Sequence, residues 1–153
     1  MKNKKCLGIL GISIISLILT GCGKSNSLTC AIDENKVTKI TAYFEYNKDK
    51  TEIERAELRL AVDISKVDFE ELEYDGTKQE WLEEAKSEWL YGCEGEGLLN
   101  CKVTEETEDG FVIVGEGNLD ELEDNFDLIG LNKKMPLDEN KQAWERQEFT
   151  CEQ

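Results

Sequence analysis

The 153-residue chain contains no histidine and a single proline, Pro136. The first absence removes whole classes of chemistry. There is no imidazole to act as base for a serine or cysteine nucleophile, no His-Glu-x-x-His zinc site and no histidine pH switch. No Cys-x-x-Cys spacing occurs, so a zinc or dithiol redox centre lacks its usual framework. No Gly-x-x-x-x-Gly-Lys-Ser/Thr loop occurs either. Gly92, Gly95 and Gly97 cluster, but they follow an expected helix, whereas a phosphate loop precedes one. Nothing in the chain calls for a cofactor. Positive charge is also scarce, with 18 Lys and Arg against 34 Asp and Glu and a formal charge of −16. Such a surface repels phosphate backbones and anionic headgroups over a screening length of roughly 8 to 10 Å, which excludes nucleic acid and electrostatic docking on membranes. Cationic partners and plain solubility remain as uses for the excess charge.

Long hydrophobic runs are lacking as well. The one apolar stretch, from Leu7 to Leu19, follows Met1-Lys2-Asn3-Lys4-Lys5 and reaches only about 20 Å as a helix, short of a bilayer core of roughly 30 Å. A positive start, a short apolar run and small residues at its end are the parts of an export signal. Leu19-Thr20-Gly21-Cys22 resembles the lipobox of bacterial lipoproteins. That resemblance implies cleavage before Cys22, removal of residues 1-21, and acyl chains on Cys22 that hold the protein to the outer side of a cell membrane. Two acyl chains anchor stably where one binds reversibly. Removing the signal's three lysines takes the formal charge from −16 to −19. Residues 22-27 then form a lipidated tether, and 28-153 a single extracytoplasmic domain.

Apart from Cys6 in the signal and Cys22, four cysteines remain: Cys30, Cys93, Cys101 and Cys151. Four cysteines allow three pairings. Cys30 and Cys151 stand near the two ends of the folded region, and domain termini often lie close together. Cys93 and Cys101 bracket the glycine-rich stretch between them. Position therefore favours Cys30 with Cys151 and Cys93 with Cys101.

Alternating apolar residues predict strands around Leu28, Cys30 and Ile32, then around Ile40, Ala42, Phe44 and Tyr46, and most clearly across Ala56, Leu58, Leu60, Val62 and Ile64. Ile53 is out of phase with the last set, as a bulge would make it. Val67, Phe69 and Leu72 fit a helical turn. Thr77-Lys78-Gln79-Glu80 has the form of a capping box, predicting a helix over 78-91 with Trp81, Leu82, Ala85 and Trp89 on one side and Gly92 as its stop. Asp109-Gly110 predicts a type I′ hairpin. Asn118-Leu119-Asp120-Glu121 repeats the cap form, and Leu119, Leu122, Phe126 and Ile129 fall at helical spacing before Gly130. A last helix, capped by Asp138, is expected to run through Trp144 toward Phe149 and Cys151. The order predicts an α+β fold, an antiparallel sheet of about five strands with helices packed on one face.

Paired carboxylates, as in glycan hydrolases, are the one catalytic option, and Glu83-Glu84 or Glu121-Asp124 supply such pairs by abundance alone. Calcium is a rival ligand, through Asp120, Glu121, Glu123, Asp124 and Asp127 or through Glu105, Glu106, Glu108 and Asp109, although neither group has EF-hand order. Trp81, Trp89 and Trp144 suit a core better than a sugar platform, since each lies among apolar residues at helical spacing. The layout of lipobox, tether, "SLTC" strand, paired strands, amphipathic helix, "GFVIVGEGNLDELE" passage and terminal "FTC" resembles small bacterial lipoproteins of the YehR-like kind. Cys93 and Cys101 stand outside that resemblance, which implies an envelope lipoprotein with an α+β domain and brings no catalytic residues. The expected protein is a lipid-anchored binding or interaction module and not an enzyme, with a protein or small-ligand partner that the sequence does not identify.

Overall fold

The computed structural model describes residues 25–95, 98–117, 119 and 133–153. Its centre is a six-stranded antiparallel sheet in the order β4-β5-β3-β2-β1-β6. The strands are β1 (Ser27–Asp33), β2 (Thr38–Tyr46), β3 (Ile53–Asp63), β4 (Leu98–Thr107), β5 (Gly110–Gly117) and β6 (Thr150–Glu152). Two α-helices accompany them, α1 (Lys78–Gly95) and α2 (Leu137–Glu145), with a 3-10 turn at Phe69–Leu72. The α+β class therefore holds, with one strand more than the sequence suggests. The signal, Cys22 and the expected helix over 119–129 lie outside the described residues, apart from Leu119.

Register shows why both helices share one face. Phe44 pairs with Leu28 and Ala56, Ala42 with Cys30 and Leu58, and Ile40 with Ile32 and Leu60, while Leu60 in turn pairs with Ile113. Because side chains alternate along a strand, these partners all point to one side. On that side α2 supplies Leu137 and Trp144 to a cluster with Leu28, Cys30, Phe44, Tyr46 and Ile53. Helix α1 supplies Leu82 to a second cluster with Leu60, Val62, Ile64, Phe111 and Ile113. The opposite side mixes apolar Ala61, Val112 and Val114 with charged residues, and Arg59 there reaches Glu105 at 2.8 Å while Arg55 reaches Glu57 at 2.9 Å.

Ile53 joins the core through a bulge. Tyr46 pairs with Ile53 and Phe44 with Ala56, so two residues of β3, Glu54 and Arg55, stand where β2 offers one. The extra residue restores Ile53 to the buried face, where it is fully inaccessible. At the β1–β2 turn, Asn35 Oδ1 accepts from the amides of Val37 and Thr38, both at 2.7 Å. The capping box of α1 forms as expected: Thr77 N donates to Glu80 Oε2 at 2.8 Å and Glu80 N to Thr77 Oγ1 at 3.2 Å.

Four expectations of the sequence are corrected. Helix α1 does not stop at Gly92 but runs to Gly95, which carries Cys93 to its partner Cys101. The hairpin loop is Glu108-Asp109, not Asp109-Gly110, because Gly110 already pairs with Thr107 and Asp63. Gly110 is there for proximity: a Cβ would lie 2.1 Å from the Val62 carbonyl oxygen. Pro136, not Asp138, occupies the cap position of α2, with Asp138 in the first turn, where its charge suits the helix dipole. Finally, α2 ends at Glu145 instead of continuing toward Cys151. Glu148 adopts φ 68°, Phe149 N bonds back to Trp144 O at 3.3 Å, and the chain reverses into β6 beside β1.

One buried polar pair crosses the core. Asn140, fully inaccessible, donates from Nδ2 to Tyr46 Oη at 2.5 Å, tying α2 to β2. Burial pushes the Tyr46 phenol up to about 12 from its ordinary 10.0, and the hydrogen bond from Asn140 pulls the other way. The folded state thus holds this proton more tightly than the unfolded chain. The contribution is fully present below about pH 10 and is lost as pH rises through about 12. Tyr43 and Tyr74 are also raised, so the expected result is a difference: the urea midpoint of Tyr46→Phe falls less steeply between pH 9 and 12 than that of the wild type. Parallel curves would refute the assignment to Tyr46.

Candidate binding cavity

Two disulfides bound the described fold. Cys30 and Cys151 sit directly opposite each other on β1 and β6, 121 residues apart in sequence, and fasten the C-terminal strand to the sheet edge. Cys93 and Cys101 join the end of α1 to β4. This second bridge lies over Gly115 of β5, where a Cβ would approach the two sulfurs to 2.8 and 2.9 Å. Each pairs the cysteines that sequence position favours, and both serve the scaffold.

The sheet is covered in two patches, and a space remains between them. A cavity of about 350 Å³ lies at the seam of the two core clusters. Leu58 and Leu60 of β3 and Ile113 of β5 contribute from the sheet, Trp89 and Gly92 from α1, and Trp144 with Phe149 from the α2–β6 segment. Trp144 is held by Phe149 at 4.5 Å between ring centroids and by Phe44 at 5.7 Å. Its indole Nε1 is buried and has no hydrogen-bond acceptor among the described residues, a costly state for a donor withdrawn from water. Trp89 is 39% exposed. It also borders a second, more polar groove of about 610 Å³, which Trp81, Tyr74, Glu84, Glu88 and Lys36 help to line.

The three tryptophans thus separate. Trp144 is core, Trp81 is half-buried against the second cluster, and Trp89 forms the ridge between two concavities. Periodicity alone placed Trp89 with Trp81 and Ala85 on a buried side. The signal that could have set it apart is Gly92, which lies three residues on and leaves the helix flank beside it open.

The acidic residues do not converge. Around the β4–β5 hairpin Glu105 pairs with Arg59, Glu106 with Lys86 at 2.6 Å, and Asp109 with Lys78. Lys86 also reaches Glu83 at 2.9 Å, and these two carboxylates hold its ammonium above the usual lysine range. Among the described residues no group of three or more Cys, Asp or Glu is placed to hold a metal ion. Among the described residues, the carboxyls that depart clearly from their ordinary values move downward: Asp63 by hydrogen bonds from Ser65, Glu80 by those from Thr77 and Glu83 by that from Lys86. These are ionised acceptors serving a turn, a helix cap and an ion pair. Glu84 accepts from Tyr74 Oη at 2.7 Å. The acidic residues from Asp120 to Asp127 lie outside the described residues.

Among the described residues no helix is long and apolar enough to cross a membrane. No protein-family model, no curated protein and no solved structure matches the chain. The concavities beside Trp89 and the amino-terminal motif are therefore the features on which a function can be argued.

Proposed function

We propose that this protein is a lipoprotein of a bacterial envelope, anchored through lipid on Cys22 and working on the extracytoplasmic side as a binding module. The observation that carries the reading is Leu19-Thr20-Gly21-Cys22 placed directly after a charged start and a short apolar run. The four residues from Gly23 to Asn26 separate Cys22 from the first residue of β1. Fully extended, that tether spans no more than about 18 Å, so the domain stays at the membrane surface. Two disulfides suit an oxidising compartment outside the cytoplasm. Among the described residues the clearly shifted carboxyls, Asp63, Glu80 and Glu83, are engaged as structural acceptors, which fits a binding module.

Intact mass spectrometry of the native, membrane-extracted chain tests the anchor. The expected species lacks residues 1–21, carries acyl mass on Cys22, and alkylates at Cys30, Cys93, Cys101 and Cys151 only after reduction. Cys22→Ala is expected to abolish both processing and acylation. An uncleaved, unacylated wild-type chain would overturn the anchor, and four free thiols would overturn the export.

A further inference from the structure

We propose that the groove between α1 and the β1–β2 turn docks an arginine-bearing basic segment of a protein partner, with the guanidinium stacked on an indole and paired with Glu84 or Glu88. The sequence of α1 builds one wall. Trp81, Ala85 and Trp89 recur every fourth residue, and Glu84 and Glu88 stand beside them at the same spacing, so indoles and carboxylates share one helix face. The facing parts are held in place. Asn35 Oδ1 fixes the β1–β2 turn by accepting from the amides of Val37 and Thr38. Tyr74 meets Phe69 edge-on at 6.3 Å between ring centroids and donates to Glu84 Oε2 at 2.7 Å. The groove is therefore preformed, and its volume of about 610 Å³ falls within the roughly 300 to 1,000 Å³ of ligand sites.

Charge and exposure select the occupant. Among the described residues neither Glu84 nor Glu88 has an ion-pair partner, while Lys78 and Lys86 of the same helix are taken by Asp109, Glu83 and Glu106. One ammonium, that of Lys36 on the turn, lines the groove against these two carboxylates, which leaves it negative within a chain of formal charge −16. Local and global fields both oppose an anion and attract a cation. Indole faces add a cation–π attraction, which arginine uses more often than lysine. A guanidinium satisfies both features at once, because it stacks flat on a ring while its edge donates two parallel hydrogen bonds to a carboxylate. A small quaternary ammonium is instead recognised by an enclosing aromatic cage. Here Glu84 and Glu88 are exposed and Trp89 is 39% exposed, which suits a side chain whose own protein closes the groove from above. The proposal rests on the binding-module reading and gives the chemistry of its partner.

The test titrates the full-length chain, membrane-extracted and held in phosphatidylcholine nanodiscs, into a fluorescein-labelled Gly-Arg-Gly-Arg-Gly amide, with peptide anisotropy and tryptophan emission followed together. The expected result is saturable binding of one peptide per chain with a change in tryptophan emission. Glu84→Gln combined with Glu88→Gln should weaken binding at least tenfold at an unchanged melting temperature, since glutamine still accepts from Tyr74 Oη. Glu54→Gln combined with Glu152→Gln removes the same charge from β3 and β6, and should weaken it less than threefold. Trp89→Leu should weaken it at least threefold and remove most of the emission change. The lysine peptide should bind at least threefold more weakly, and the citrulline peptide, which keeps the shape without the charge, should not bind. Absence of saturable binding to the wild type would overturn the proposal. Equal losses for the two glutamine pairs would overturn it too, by showing attraction to the field of the whole domain, and equal binding of the arginine and lysine peptides would do so by showing that no stacking occurs. The titration reads the groove whether or not Cys22 is acylated, so its failure leaves the anchor standing, and failure of the anchor leaves it intact.

Discussion

Replacing Cys30 and Cys151 together by alanine is expected to cost roughly 5 kcal/mol of unfolding free energy, against roughly 2.5 kcal/mol for the Cys93 and Cys101 pair, on the chain-entropy account of cross-links. The difference follows from the closed loops, whose ends are 121 residues apart in the first case and 8 in the second. Two features of the structure raise the stake for the long bridge. Cys30 is fully buried within the cluster that α2 covers, so its truncation also removes packing. Strand β6 is only three residues long and pairs with β1 alone, which makes it an edge strand with little hold of its own. Once the bridge is gone, the reversal at Glu148 and the three pairs of β6 are expected to open before the rest of the sheet. Hydrogen exchange in the double variant should show this as loss of protection at Thr150, Cys151 and Glu152 while β2 and β3 stay protected. Urea unfolding supplies the free energies. Equal losses for the two bridges, or an unaltered β6, would show that the native contacts of the C-terminal segment hold it without covalent help.

The parts of this fold that could be read from the chain are those in which a local rule and the tertiary structure agree. Leu28 to Ile64 form three strands because every second residue is apolar, and the phase error at Ile53 reads directly as a bulge. The Thr77–Glu80 cap is another such case. The errors share a cause, which is that a residue type with one common use was serving another. Gly92 reads as a helix stop, but in the structure it is a helical residue facing open space, and the Cys93 bridge carries the helix past it. Gly110 reads as a turn residue, but its role is close approach to Val62. The end of α2 was illegible for the opposite reason. Its left-handed residue is Glu148, where helices commonly use glycine, so no signal marks the reversal and the sequence of β6 reads as helix.

The cavity was harder still to foresee. Its lining comes from β2, β3, β4, β5, α1 and the α2–β6 segment, and no local spacing reports on a gap between two clusters of buried residues. Carboxylate clusters misled in the reverse sense. Glu105, Glu106, Glu108 and Asp109 lie close in sequence, yet three of them pair with cations on two other elements, Arg59 of β3 and both Lys78 and Lys86 of α1.

Trp144→Ala is expected to destabilise the domain by about 3 to 5 kcal/mol, the usual range for deleting a large aromatic from a core. The position is 3% exposed and fixes the α2 side of the seam through Phe44 and Phe149. The magnitude should lie at the upper end because the deleted ring borders existing empty space. Neighbours that already fail to fill a cavity of about 350 Å³ will not collapse into a larger one, and the cost of such a deletion grows with the volume left behind. Trp144→Phe separates the ring from its N–H. That substitution keeps an aromatic body in place and removes a donor that has no partner, so the desolvation penalty of Nε1 disappears along with the atom. The expected loss is clearly smaller than for alanine, because one ring of the aromatic body stays in place and less volume is left behind. Chemical denaturation of the two variants side by side gives both numbers. A large loss for Trp144→Phe would show that Nε1 has an acceptor in solution, and a small loss for Trp144→Ala would show that the seam closes when the ring is gone. If instead the alanine variant is costly and the phenylalanine variant nearly neutral, Trp144 contributes to stability through its ring alone. Its N–H then does nothing for the fold.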